Sequence, residues 1–235
     1  MLGQREVHVW SLDLDGDRAS EGDASGILSA EEMVRAGKFR SDLDRTRFIS
    51  SRIALRTILS QYLGVDPGVL SFALGSHGKP RLAGVHQAKL SFNLSHSGGM
   101  ALLAVARDET RSVGVDVELI RETRDLDGIA ERFFSPSEAA SLKRLGTADR
   151  APGFYQLWTC KEAFLKATGE GIAGGLDQAV FRLSENSSTW QRLMLTSEQE
   201  LGEWTIQQLH PAIGYAAAVV ANGVGLQITT LHWRG

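Results

Sequence analysis

Asp116 and Glu118 stand two apart in "SVGVDVELI" (residues 112–120) and are the only charges in that run. The alternation is that of a half-buried strand, where side chains at i and i+2 share a face about 6.6 Å apart along the chain. Two carboxylates that close repel each other, and a divalent cation relieves the repulsion. Magnesium suits such a pair, because it takes a few carboxylates and fills its remaining positions with waters and substrate phosphates. A solvated strand face carrying two acids is the plainer account of this pair taken alone.

"LWTCKEAFLKATGEG" (157–171) adds a second cluster. At 100° per residue, Phe154, Leu157, Trp158, Phe164 and Leu165 form one apolar arc of a helix. Lys161 projects near the centre of that arc, with Glu162 and Lys166 on its flank. A lysine in a buried stripe is costly unless it meets an anion. Glu162 is thus a candidate third metal ligand, and Lys161 and Lys166 are candidates for phosphate. The alternative is an i,i+4 surface pair of Glu162 with Lys166, and a Lys161 that snorkels.

Two turns could also meet anions. "HGKPRL" (77–82) lacks the spacing of a Walker A loop, yet Lys79 after Gly78 can reach a phosphate at a turn, with Arg81 assisting. "FNLSHSGG" (92–99) brings Ser95, His96 and Ser97 to a strand end before two glycines, the makings of an anion nest. It is not a nucleophile elbow, because Gly-x-Ser-x-Gly is absent.

The elements that must hold these residues alternate in type. Val7–Leu14 reads as an opening strand, and residues 15–26 as a loop. Ser29 with Glu32 is a capping-box signal for a helix from Ala30. A second helix runs from about Asp44 to Leu63, stopped by Gly64 and decorated with Arg45, Arg47, Arg52 and Arg56. Strands follow at 69–74, 89–95, 98–106 and 112–120. Helical patterns return at 126–145 and 154–167, and the tail reads as strands at 179–183, 203–209, 215–221 and 226–233. Each half has helices and then strands, including a small-residue apolar strand just after a turn. This suggests an α+β fold of two similar subdomains, 1–112 and 113–235.

The totals narrow the classes. The chain has 235 residues, 43% of them hydrophobic, and a net charge of −3, so no general affinity for nucleic acid follows. One cysteine excludes an intrachain disulfide and fits a reducing compartment. Arg5 and Glu6 interrupt any signal-peptide core, and no apolar run approaches the roughly 18 residues a membrane span needs. A cytoplasmic protein without membrane contact is expected.

In order along the chain stand Gly78-Lys79-Pro80, Asn93-Leu94-Ser95-His96-Ser97, Gly114-Val115-Asp116-Val117-Glu118 and Trp158-Thr159-Cys160-Lys161-Glu162-Ala163-Phe164-Leu165-Lys166. With these motifs the sequence resembles the 4′-phosphopantetheinyl transferases, specifically the longer monomeric kind typified by the surfactin-synthetase activator. "RFFSPSE" (132–138) and the basic "DRTRFISSRIALR" (44–56) look like further family segments, and the resemblance covers residues 30–185. It implies two similar halves related by a pseudo-twofold axis, with coenzyme A in the cleft between them. It also implies transfer of the phosphopantetheine arm from coenzyme A to a serine of an apo acyl or peptidyl carrier protein, with release of adenosine 3′,5′-bisphosphate.

The resemblance then implies roles. Asp116, Glu118 and Glu162 would hold Mg²⁺, with Mn²⁺ as the alternative ion. Lys166, and less firmly Lys161, would meet phosphate charge. Lys79, Arg81, Ser95, His96 and Arg47 would bind the nucleotide end, with Arg35 a weaker member. Glu162 is the first choice of general base and Glu138 the second. Residues 120–134, with Arg121, Arg124 and Arg132, are the guess for the carrier surface. The long single-chain form favours carriers of secondary metabolism by analogy alone. Two competing readings stay open, a metal-dependent phosphohydrolase using the same acids and an inactive coenzyme-A-binding module.

Overall fold

The structure is a computed structural model. It describes residues 2–16, 24–75, 78–86, 89–107, 111–122, 125–169, 176, 180–183, 190–192 and 204–234. The chain divides into two compact units, residues 1–110 with 227–235, and residues 111–226. Among the described residues no helix is long and apolar enough to cross a membrane.

The first unit contains β1 (Glu6–Asp13), α1 (Ala30–Ala36), α2 (Asp42–Leu63), β2 (Phe72–Leu74), β3 (Pro80–Leu82), β4 (Leu90–Ser97), β5 (Met100–Arg107) and the last strand of the chain, β11 (Gln227–His232). The main sheet has the order β11-β1-β5-β4, and β2 and β3 form a separate hairpin. Leu55, Ile58 and Leu59 of α2 pack with Leu12, Leu103 and Val105 of the sheet. The helix begins at Asp42, earlier than the periodicity suggests, because Ser41 accepts the Asp44 N–H as N-cap. It ends where Gly64 turns left-handed at φ 68°.

The tail corrects the expected partition, which leaves the last strand in the subdomain 113–235. β11 pairs in parallel with β1, from Glu6 opposite Gln227 to Ser11 opposite His232. The edge of β1 offers unpaired backbone groups, and the tail satisfies them. Nothing in the alternation of "LQITTLHW" names the strand it joins.

The second unit contains β6 (Val113–Leu119), α3 (Leu126–Phe133), α4 (Pro136–Lys143), α5 (Thr147–Thr168), β7 (Phe181–Leu183), β8 (Trp190–Arg192), β9 (Trp204–Leu209) and β10 (Tyr215–Asn222). Its main sheet has the order β6-β10-β9. The helical pattern 126–145 is two helices. Ser135 is extended at ψ 155°, as the residue before Pro136 prefers, and caps α4. α5 starts seven residues before its expected start at Phe154, with Pro152 inside it. Leu157, Cys160, Ala163 and Phe164 of α5 share a core with Ala218 and Val220 of β10.

Candidate active site

β10 sets the face of β6 that carries the acids. Ala218 stands opposite Asp116, and Ala216 opposite Glu118. Directly opposed residues of an antiparallel pair share a face. Ala218 and Val220 pack against α5, so Asp116 and Glu118 lie on the α5 side of the sheet. Gly114 is the third residue of that row. A Cβ there would lie 2.0 Å from the Ala163 carbonyl oxygen and 2.5 Å from the Ala167 nitrogen. The glycine of Gly-x-Asp-x-Glu thus lets the helix backbone rest directly on the strand.

That closeness buries the acids. Asp116 is 2% exposed and Glu162 7%, while Glu118 is half-buried toward the strand end. The Lys166 ammonium donates to Asp116 Oδ1 at 2.5 Å. Burial raises the Glu162 pKa above its ordinary value. The charges of Asp116 and Glu118 push the same way, and Lys166 opposes them. Three carboxylates and one ammonium therefore share one electrostatic neighbourhood between a strand and a helix. The wet strand face is excluded, and so is an i,i+4 surface pair as the account of Lys166, which reaches across to the strand.

No three of His, Cys, Asp and Glu among the described residues are gathered into a ready cation cage, and Lys166 stands on Asp116. The donor set nevertheless fits a hard dication. It consists of carboxylate oxygens, and Glu162 Oε1 is buried without a hydrogen bond. An orphaned buried carboxylate oxygen beside two more acids is costly until a cation arrives.

Two expected site residues are corrected. Lys161 does meet an anion, but that anion is Glu138 and not a phosphate. Nζ lies 2.9 Å from Glu138 Oε1, and both side chains have no exposure. Lys161 also donates to the Leu176 carbonyl at 2.6 Å. Glu138 accepts from the Ser135 N–H at 2.7 Å and the Phe181 N–H at 2.8 Å. A carboxylate so enclosed has no path to a substrate hydroxyl, so it is not a general base. The Ser-x-x-Glu pattern at 135–138 signals this position, because a capping box turns its glutamate back onto the helix start. Cys160 is fully buried and its thiol is pushed up to about 12, which fits no nucleophilic role.

The anion candidates of the first unit lie on two hairpins and on helices α1 and α2. Lys79 follows Gly78, whose φ is 77°, in the loop joining β2 to β3. Burial brings its ammonium down to about 8. Arg81 is exposed on β3. Ser95 is buried and His96 exposed near the end of β4, before a two-residue turn to β5. Arg47 directs Nε and Nη2 at Asp15, at 2.8 and 2.7 Å. A Cβ on Gly99 would lie 2.2 Å from Asp15 Oδ2, which places this pair at the same turn. The sequence reading missed Asp15, in a stretch taken only as loop. Arg35 lies over the Phe48 ring at 5.3 Å. Arg52 and Arg56 are tied to Glu32. Of the carrier-surface guess, Arg121 and Arg132 are exposed, and Arg124 lies outside the described residues. A cavity of about 780 Å³ in the first unit, lined by His8, Trp10, Tyr62 and Arg107 among others, contains none of these candidates in its described lining.

Comparison with known proteins matches both units. Residues 112–220 fit the family described as the 4′-phosphopantetheinyl transferase superfamily. Residues 21–108 fit the family described as 4′-phosphopantetheinyl transferase, N-terminal. The chain is 39% identical over 229 residues to the 4′-phosphopantetheinyl transferase HetI of a Nostoc species, covering 97% of this chain and 92% of that protein. It is 35% identical over 167 residues to the 4′-phosphopantetheinyl transferase psf-1 of Bacillus pumilus, covering 71% and 69%. It is 29% identical over 161 residues to the 4′-phosphopantetheinyl transferase Sfp of Bacillus subtilis, covering 68% of each chain.

Proposed function

The chain belongs to the 4′-phosphopantetheinyl transferase superfamily and is an enzyme of that kind; from this premise we propose that it moves the phosphopantetheine arm of coenzyme A onto a serine of an apo carrier protein. The reaction makes a bond between the serine oxygen and the phosphorus that bears the arm. It breaks that phosphorus's bond to the bridging oxygen of the pyrophosphate, which leaves with adenosine 3′,5′-bisphosphate. The serine proton passes to a base.

Asp116, Glu118 and Glu162 are the residues to hold magnesium. When bound, the ion supplies charge neutralisation on the pyrophosphate. Lys166, held at Asp116, is placed to follow phosphate charge as it grows on the leaving oxygen. Glu162 is the base of choice, as the acid beside Asp116 whose Oε1 is buried without a hydrogen bond. Lys79, Arg81, Ser95, His96 and Arg47 are the candidates for the nucleotide end, and a desolvated lysine such as Lys79 favours an anion. One buried thiol fits a reducing compartment, so we place the enzyme in the cytoplasm, and we take it as a monomer from its resemblance to the longer single-chain form.

The observation that carries this reading is the Gly114 contact, which brings Glu162 and Lys166 to Asp116. The test is mass spectrometry of an apo carrier protein after incubation with this enzyme, coenzyme A and Mg²⁺. A mass gain of one phosphopantetheine arm at serine is expected. No gain across several carriers, with hydrolysis of coenzyme A instead, would establish the phosphohydrolase reading. Binding of coenzyme A with neither outcome would mark an inactive module.

A further inference from the structure

Lys161 and Glu138 are wholly buried charges that no step of the proposed chemistry uses. A buried ion pair is weak evidence for stability, since apolar replacements of similar volume are often neutral or better. We propose that this pair is a positioning brace that sets the rotation of α5 about its own axis, and so aims Glu162 and Lys166 at Asp116. What Glu162 does once aimed rests on the transferase reading.

The geometry supplies two restraints on one helix. Lys161 is anchored by Glu138 at the start of α4 and by the Leu176 carbonyl. Its ammonium lies 5.4 Å from the centre of the Phe134 ring and 5.8 Å from that of Phe181. Glu138 in turn holds the Phe181 N–H at the start of β7. Elsewhere on the helix, Ala163 and Ala167 rest on Gly114. Successive helical residues diverge by about 100°, so anchoring Lys161 fixes the sector into which Glu162 projects. Lys166, four residues beyond Glu162, shares that sector and contacts Asp116. Without the brace, the gap left in the aromatic pocket would let α5 turn on the Gly114 contact.

The test compares Lys161→Met, Glu138→Gln and the double variant with the parent enzyme. The readouts are thermal unfolding, kcat, KM for coenzyme A and the Mg²⁺ concentration at half-activation. Each single change should lower kcat about 100-fold, the scale of a small misplacement of reacting groups. It should raise half-activating Mg²⁺ about tenfold, as loss of an outer support does. KM for coenzyme A should hold within about twofold, because neither residue touches substrate. The double variant, with no uncompensated charge, should regain most of the melting temperature but neither kcat nor half-activating Mg²⁺, because the brace is still missing.

A pair that only stabilises the fold would lower the melting temperature and leave kcat and half-activating Mg²⁺ of the folded enzyme unchanged. That result overturns the proposal. A double variant that regains parent kcat would trace the loss to an unpaired charge, and Lys161→Met at parent kcat beside an inactive Glu138→Gln would restore Glu138 as the base; either overturns it too. If the parent transfers to no carrier, the transferase reading fails separately, and Mn²⁺ titration of the protein with coenzyme A decides the brace. Weakened Mn²⁺ binding in the singles and in the double supports it, and binding recovered in the double or equal in all four proteins overturns it. Glu138→Gln keeps an acceptor for the Phe181 N–H, which guards the comparison if Lys161→Met does not fold.

Discussion

Lys166 donates to Asp116 Oδ1 at 2.5 Å, joining helix α5 to strand β6 across fifty residues of sequence. Asp116 is 3% exposed at its side chain and Lys166 31%, so the carboxylate is fixed and the ammonium has one side open. On the proposed reading, a cation reaching Asp116 would compete with that ammonium, which would then turn to the phosphate arriving with it.

Asp116→Ala removes the shared anchor of the lysine and the proposed metal. Transfer should fall by at least about 10³-fold, the scale of lost charge stabilisation at a phosphoryl centre. The fold should persist, because Lys166 can turn to solvent. Rates on an apo carrier and far-ultraviolet circular dichroism check both halves. A variant that transfers at the parent rate refutes the metal assignment.

Gly114→Ala places a methyl group where the Ala163 carbonyl and Ala167 nitrogen already lie. Neither atom is a flexible side-chain end, so α5 must lift from β6. A loss of about 3 kcal/mol in urea unfolding is expected, as for overpacking of a tight core. Activity should fall with it, because Glu162 and Lys166 move with the helix. Val115→Ala, at the next position, makes a cavity and leaves that helix contact in place, so it should destabilise without the same fall in kcat per folded molecule.

Lys79 gives a pH test. Its folded pKa, about 8, lies below the ordinary 10.5, so the fold resists its proton. The resulting penalty is full below about pH 8 and is lost as pH rises from there toward 10.5. Lys79→Met should therefore stabilise the protein at pH 7, with the gain fading at high pH in chemical unfolding. It should also weaken coenzyme A binding at pH 7. If Lys79 meets the 3′-phosphate, 3′-dephospho-coenzyme A should bind parent and variant alike. Parent affinity for coenzyme A should also fall between pH 7 and pH 9.

Cys160 is sealed and its thiol is raised to about 12. Iodoacetamide should leave the native enzyme unmodified and active, and label it only after denaturation. Cys160→Ala should cost about 1 kcal/mol as a small cavity and leave kcat unchanged. Rapid alkylation of native protein with loss of activity would refute this placement.

The sequence was legible where local rules suffice. The Ser29 capping box, the stop at Gly64 and the shared face of Asp116 and Glu118 all follow from short-range geometry. The acid triplet and Lys166 were named from spacing and resemblance, and they fall in one neighbourhood. What escaped was pairing across long separations. Glu32 closes its own capping box and also receives Arg52 and Arg56, twenty or more residues away. Glu138 does the same with Lys161. In both cases a residue readable as a helix cap, or as a catalytic acid, is an internal counter-ion. Neither reading is separable from the other until the long helix is docked.

The order of the motifs alone carried the resemblance to the family, because it states which groups occur and at what spacing. It also pointed to an anion for Lys161, since burying an ammonium without one is costly, with snorkelling as the alternative. Which anion it finds was decided only by tertiary packing, which seats α4 and β7 around that part of α5. Packing likewise sent the final strand to β1 and pressed α5 onto Gly114. Desolvation and close contact depend on which distant segments meet, and no local spacing records that meeting.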